Sequence, residues 1–317
     1  MQPTTQQGSP ANPNGRDLAS SARRLYPVSS QPSPQVAAGL PQAPLQARLS
    51  LGFEADGGTT RLIERCHFGP LIVQKPLYPE GRKVCHVVVI HPPGGVVGGD
   101  DLEISAKAGP AAQVQLTTPG ATKWYRANGH VSRQHVRLEV AAGAALEWVP
   151  QETIFFDDVN VALDQEVLLE KDASYIGCEI LCFGRTASGE SFTKGQIAQR
   201  IGIRRDGRLI WLERLRLAGG SFAMGSPLVL AGNTVCATLL AVGRPAPAEV
   251  LEAAREAAGA LAQGTGQVGI SQLKSVVVAR YLGNSSETAR RIMLHVWGLL
   301  RPGMLDRGAI VPRMWNT

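Results

Sequence analysis

Between two strand-like segments the chain reads His91-Pro-Pro-Gly-Gly-Val-Val-Gly-Gly-Asp100, with four glycines and two prolines in ten residues. Such a stretch continues neither a strand nor a helix. Proline removes a donor and locks φ, and glycine opens backbone regions closed to other residues. Val84 to Ile90 precedes it and Leu102, Ile104 and Ala106 alternate after it, so the stretch reads as a rigid crossover between strands. One strand-length further, Thr117-Thr-Pro-Gly-Ala-Thr-Lys-Trp-Tyr-Arg126 forms a second irregular, polar segment.

The pattern around these loops repeats. Val114-Leu116, Val136-Leu138-Val140 and Leu146-Trp148 read as further short strands separated by Gly or Pro turns. Ile201-Gly-Ile203 and Leu209-Ile-Trp211 flank Asp206-Gly207, a favoured type I′ hairpin pair. With 35 glycines and 21 prolines among 317 residues, this predicts a mainly β fold. We expect an extended, multi-stranded body of irregular β-solenoid or sandwich-like type with about two C-terminal α-helices. The first helix is expected near 247–263, opening on Pro247 and closing before Gly264. The second is expected near 285–300, with Asn284-Ser-Ser-Glu287 as a capping box and Pro302-Gly303 as its stop. Its apolar face of Ile292, Val296 and Leu300 is expected to pack internally, and residues 271–282 are expected to form one strand between the helices. Residues 1–44, rich in Pro and Gln and without apolar periodicity, read as a disordered tail ahead of a single β-rich domain over 45–317.

Charge and cysteine content narrow the classes of function. The net charge of +6 is spread along the chain without a dense basic block, so nucleic acid is not the expected partner. No apolar run reaches the length of a membrane span. Cysteines 66, 85, 178, 182 and 236 are odd in number, irregular in spacing and preceded by no apolar leader, which points to a reducing cytoplasm.

The glycine loop fails the tests for a phosphate cradle, since it fits no G-x-G-x-x-G pattern, has no following Gly-Lys-Ser/Thr, and opens no helix. Ser188-Gly189-Glu190-Ser191 lacks the nucleophile elbow G-x-S-x-G. His91, Asp100, Asp101 and Glu103 lie close in sequence, and carboxylates with one imidazole make an exchangeable metal site and not a closed cage. On that basis a metal-dependent hydrolase or isomerase using His91 and the Asp100/Asp101 pair is the alternative reading. A sheet-based module for an acidic ligand is a third. Cys178 and Cys182 share one face of a strand but have no partner set for zinc, and read as buried thiols. In Gln151-Glu-Thr-Ile-Phe-Phe-Asp-Asp158, two aromatics are bracketed by acids.

Five of these segments together resemble the UreD (UreH) family of urease accessory proteins. They are the glycine loop, Thr117 to Lys123, Pro150-Gln-Glu-Thr-Ile-Phe-Phe-Asp157, Phe183-Gly-Arg-Thr-Ala-Ser-Gly-Glu190 and Pro312-Arg-Met-Trp315, joined by Arg280-Tyr-Leu-Gly283 and Val296 to Pro302. The resemblance spans about residues 45–317 and implies a non-enzymatic maturation factor with no tightly bound cofactor and Ni²⁺ in transit. It implies binding to the urease apoenzyme subunits and to UreF, recruitment of the GTPase UreG through UreF, and a hydrated passage for nickel. His91, Asp100, Glu152, Asp157 and Glu190, which lie in or beside the resembling segments, are the expected wall of that passage. Apolar docking surface would make the chain poorly soluble without its partner.

Overall fold

A computed structural model describes residues 44–316, so the tail read over 1–44 lies outside the described residues except for Pro44. The chain opens with a hairpin of β1 (Gln46–Asp56) and β2 (Thr59–Phe68), turning at Gly57-Gly58, followed by β3 (Ile72–Val73) and β4 (Val84–Ile90). From there successive strands alternate between two sheets. β5 (Asp101–Ala108) enters the first sheet, β6 (Gln113–Thr117) the second, and β7 (Thr122–Trp124) extends the second at its margin. The cycle repeats with β8 (Ser132–Val140), β9 (Ala145–Trp148) and β10 (Thr153–Phe155), then with β11 (Val159–Leu169) and β12 (Ser174–Phe183). A final hairpin of β13 (Gly195–Arg205) and β14 (Arg208–Ala218) closes the first sheet, turning at Asp206-Gly207 with φ of 47° and 77°, as a type I′ turn requires. The short helix α1 (Phe222–Gly225) leads to β15 (Val235–Val242) in the second sheet, and α2 (Ala248–Ala262), β16 (Gly266–Leu273), β17 (Val276–Gly283) and α3 (Ser286–Leu305) complete the fold.

The first sheet has the order β14-β13-β11-β8-β5-β1-β2, with parallel pairing from β13 through β1. Because each coil adds one strand to each sheet, the body is a β-solenoid in construction, and the mainly β expectation holds. Its two sheets differ in what covers them. The first is open to solvent on its outer face, where Arg48, Glu103, His135, Asp164 and Arg200 stand side by side on five strands. The second is buried on both faces, by the first sheet within and by α2 and α3 outside. This explains why Val84–Ile90 is a nearly continuous apolar run while Asp101–Ala108 alternates.

The glycine loop owes its composition to close approach. Val96 pairs with the β7 segment, its N–H donating to the Lys123 carbonyl at 2.8 Å and its carbonyl accepting from Tyr125 N–H at 2.8 Å. A Cβ on Gly95 would lie 2.1 Å from Tyr125 Cε2, and one on Gly98 would lie 1.8 Å from the Ala127 carbonyl oxygen. No side chain fits at either position.

Three expectations for the C-terminal region are corrected. Residues 271–282 are not one strand but parts of β16 and β17, a hairpin whose turn places Lys274 at φ 56° without the glycine that announces such turns. The cap of α3 is Ser285, whose hydroxyl accepts from Thr288 N–H at 3.1 Å, while Asn284 instead accepts from Thr234 N–H at 2.9 Å. The helix runs through Pro302 to Leu305 and stops at Asp306, which is left-handed at φ 56°. Ile292, Val296 and Leu300 pack against the second sheet, as expected of a core face.

What holds α3 in this register is a buried ionic cluster. His86, Gln115 and Glu147 are paired on β4, β6 and β9, forming one polar row on the helix-facing side of the second sheet. Arg301, fully buried, lies over that row. Its guanidinium donates to Glu147 at 2.8 Å and to Glu80 at 2.6 Å, and Trp297 Nε1 donates to Glu147 at 2.7 Å. Burial raises the Glu80 carboxyl, but hydrogen bonds from His86 and Arg301 outweigh it and hold it at about 2. Replacing Arg301 by Met leaves Glu80 and Glu147 only the more distant Arg307, at 3.6 and 3.3 Å, and should cost about 3–5 kcal/mol in urea-induced unfolding. Glu80 stabilises the fold fully above its ordinary pKa of 4.5, and that stability is lost as pH falls towards 2. Glu80→Gln should therefore flatten the acid limb of stability against pH.

Candidate functional site

Three inner rows of the first sheet determine what lies between the sheets. Leu51, Ala106, Leu138, Val167 and Ile203 form a wholly apolar row. One step along the strands, Leu49, Ile104, Val136, Gln165 and Ile201 carry one amide, and the next row, Ala47, Leu102, Gln134, Leu163 and Gln199, carries two. Amides at inner positions cannot close-pack as aliphatic side chains do, and this end of the interior is hollow. The cavity measures about 400 Å³ and reaches from His91 and Gly95 to Glu179.

Glu179 on β12 is the carboxyl group of this interior. Gln199 Nε2 donates to it at 2.6 Å, and Gln165 donates to the Tyr175 hydroxyl at 2.7 Å. Glu179 retains some accessible surface because its carboxyl faces the cavity, yet surrounding protein sets its charge. Burial, reinforced by Glu213, pushes its pKa up to about 8 against the opposing effects of Gln199 and Arg280. At neutral pH it is mainly the protonated acid. Glu213 on β14 is itself paired with Arg280 on β17 at 2.8 Å. His91 lines the same cavity with Nε2 buried and without a hydrogen-bond partner among the described residues, and burial lowers its pKa against the pull of Asp100.

The other residues singled out from the sequence are placed apart from this group. Asp100 is buried, one carboxylate oxygen accepting from Leu45 N–H and the other from Val97 N–H, both at 2.9 Å, so it fastens the glycine loop to the start of β1. Asp101 is exposed at the head of β5. Glu152 pairs with Arg290 of α3 at 2.7 Å. Asp157 and Glu190 are brought together: Glu190 accepts from Asp157 N–H at 2.9 Å and pairs with Arg185 at 2.6 Å. Asp157 accepts from the N–H groups of Thr193 and Lys194 at 2.6 and 2.9 Å. Slight burial raises Asp157, the two N–H donors outweigh it, and its pKa is lowered, while that of Glu190 is lowered chiefly by Arg185. A second, open pocket of about 460 Å³ lies beside them, walled by Tyr125, Phe156 and Arg185.

Among the described residues no three His, Cys, Asp or Glu side chains are grouped to hold a metal ion. Cys178 and Cys182 face the helical layer, and burial pushes both thiols up to about 12, so they are inert at neutral pH. Glu179 and the three glutamines were missed from sequence. Their signal was present as polar residues interrupting otherwise apolar strand positions, as in Ile176-Gly-Cys-Glu-Ile-Leu181.

Fold and interior together define a hollow two-sheet β scaffold carrying a helical layer on one side. Comparison with known proteins places it further. A family model described as UreD urease accessory protein matches residues 45–316. The chain is 60% identical over 272 residues to the urease accessory protein UreD of Janthinobacterium sp., spanning 86% of this chain and 92% of that protein. It is 58% identical over 275 residues to the UreD of Nitrosospira multiformis, spanning 87% and 99%, and 48% identical over 274 residues to that of Dechloromonas aromatica. The chain belongs to the UreD family of urease accessory proteins. Among the described residues no helix is long and apolar enough to cross a membrane.

Glu179 binds a proton more tightly in the folded chain than in the unfolded one, so it favours folding below pH 4.5 and this contribution is lost as pH rises through about 8. Glu179→Gln should therefore gain stability over wild type at pH 8 and little at pH 4.5, checked by urea midpoints across that range.

Proposed function

We propose that this chain is a urease maturation factor that binds the urease apoenzyme subunits and UreF, engages the GTPase UreG through UreF, and lets Ni²⁺ pass through its interior. Membership of the UreD family supports the role in maturation. The observation that carries the transit reading is the inter-sheet cavity lined by His91, Gln134, Gln165, Glu179 and Gln199. An ion in transit needs donors that replace part of its hydration shell and then release it. A cage of thiolate and imidazole would bind Ni²⁺, or Cu²⁺ in its place, too tightly to let go. Amide oxygens, water and a carboxyl with a raised pKa form a weaker and faster set.

In this proposal the residues named from sequence divide by position. His91 meets the ion within the cavity. Asp100, Glu152, Asp157 and Glu190 do not line the cavity, and in this reading they act by fixing the loops around it, each held by backbone N–H groups or an arginine. The hydrolase or isomerase alternative is disfavoured by Asp100, since each of its carboxylate oxygens already accepts a backbone N–H.

The test is urease activation in a host that supplies the urease subunits, UreF and UreG with limiting nickel. Gln199→Trp, which fills the cavity, and Glu179→Ala should leave the assembly of accessory proteins with urease intact and lower nickel per urease severalfold. The Glu152→Ala/Asp157→Ala pair should act in the same direction. Full nickel occupancy with Gln199→Trp at limiting metal would remove the basis for transit through the interior.

A further inference from the structure

The outer face of the first sheet is charged, and over most of its width the charges are matched. Arg48 pairs with Glu103 at 3.5 Å, and Asp164 lies 3.4 Å from His135 and 2.9 Å from Arg200. Arg137 pairs with Glu139 at 2.9 Å and also with Glu166. Matching fails at the β14 edge. Arg208, Arg214 and Arg216 are exposed and make no ion pair among the described residues. Arg214 stands directly opposite Arg200, and Asp164, next along that row, is already shared by Arg200 and His135. Like charges paired across strands are unfavourable, so this edge carries an uncompensated positive stripe.

The backbone of the same strand is also unmatched. β14 is an eleven-residue edge strand, and no N–H or carbonyl of residues 209–217 bonds outside its pairing with β13 among the described residues. Arginines alone would serve to keep such an edge from pairing. Their apolar neighbours do the opposite. Leu209 and Leu212 are exposed on the strand, with Leu212 opposite Gly202. Just beyond β14, where α1 packs against it, Phe222 is 89% and Leu228 94% exposed. The far edge of the sheet, β2, differs in charge, because Glu64 stands among its basic residues and Arg61 is near Asp56.

We infer that the β14 edge is a docking strand for an extended acidic segment of a partner protein, which pairs with its free backbone, sets carboxylates against Arg214 and Arg216, and rests apolar side chains on Leu212 and Phe222. Backbone pairing supplies affinity, and the alternating arginine and leucine positions supply selectivity. This inference rests on the maturation reading for the source of the partner, which is the urease apoprotein, the protein that the family's description names.

The test uses the full chain, affinity-tagged and co-produced with the urease subunits and UreF. Arg214→Glu/Arg216→Glu should weaken capture of the urease subunits roughly tenfold, and the loss should be steeper at low salt, as for a charge-steered contact. Arg214→Lys/Arg216→Lys should retain capture, and Arg61→Glu/Arg65→Glu on β2, with the same change in net charge, should leave it unchanged. In the wild-type complex, amide exchange over residues 209–217 should slow. Unchanged capture by the Glu variant, or unchanged exchange over 209–217, overturns the inference while leaving the maturation reading standing. A Glu variant that alters only capture of UreF, only self-association of the isolated chain, or only binding of a labelled oligonucleotide assigns the edge to another occupant and overturns it as well. Failure of the wild-type chain to capture either partner would instead overturn the maturation reading, and the inference with it.

Discussion

Arg301 has no surface in contact with water, and the helical layer takes its position from it. A buried guanidinium is costly to desolvate and contributes little net stability, yet it tolerates few alternatives: shifting α3 would leave Glu80, Glu147 and the cation itself unpaired. The cluster therefore acts as a register pin. The same guanidinium also donates to the Gly308 carbonyl just beyond the helix and so ties the chain after α3 to the cluster. From that anchor the C-terminal segment returns across the second sheet, where Trp315 Nε1 donates to the Thr117 hydroxyl at 2.9 Å.

The two polar inclusions of the second sheet have opposite chemistry. On its outer side His86, Gln115 and Glu147 face a matched set of cations and are closed to solvent. On its inner side Glu179 meets an amide and a cavity, and its carboxyl is pushed up to about 8 by burial, reinforced by Glu213. The first arrangement fixes structure, and the second leaves room. A protein that hands on a metal ion needs both, a rigid wall and an interior whose donors are few and weak.

Much of the fold was legible because the two sheets write different patterns. Alternation marked β5 and β8, which bury one face, and a continuous apolar run marked β4, which buries two. The Asp206-Gly207 turn was readable from its residue types, whereas the Lys274 turn was not, because lysine adopts that conformation only under tertiary constraint. The cavity was the least legible part. Gln134, Gln165 and Gln199 lie on three separate strands, about thirty residues from one to the next, and nothing local says that they share one end of the interior. Asp100, Asp157 and Glu190 stood out in sequence because loops of unusual composition carry them. The reason for that composition proved to be the anchoring of backbone N–H groups.

Local residue pattern by itself determined that this chain is mainly β, that it crosses between strands through the glycine loop, that two long helices close it, and which family it resembles. These follow from spacing, turn chemistry and motif, all of which act over a few residues. Tertiary structure alone decided which polar groups are matched. It set Arg301 against Glu80 and Glu147 across more than 150 residues, left Glu179 facing a hollow, and left Arg214 and Arg216 at an open edge without counter-charge. Electrostatic matching depends on which strands become neighbours, and in a solenoid that is settled by the register of successive coils.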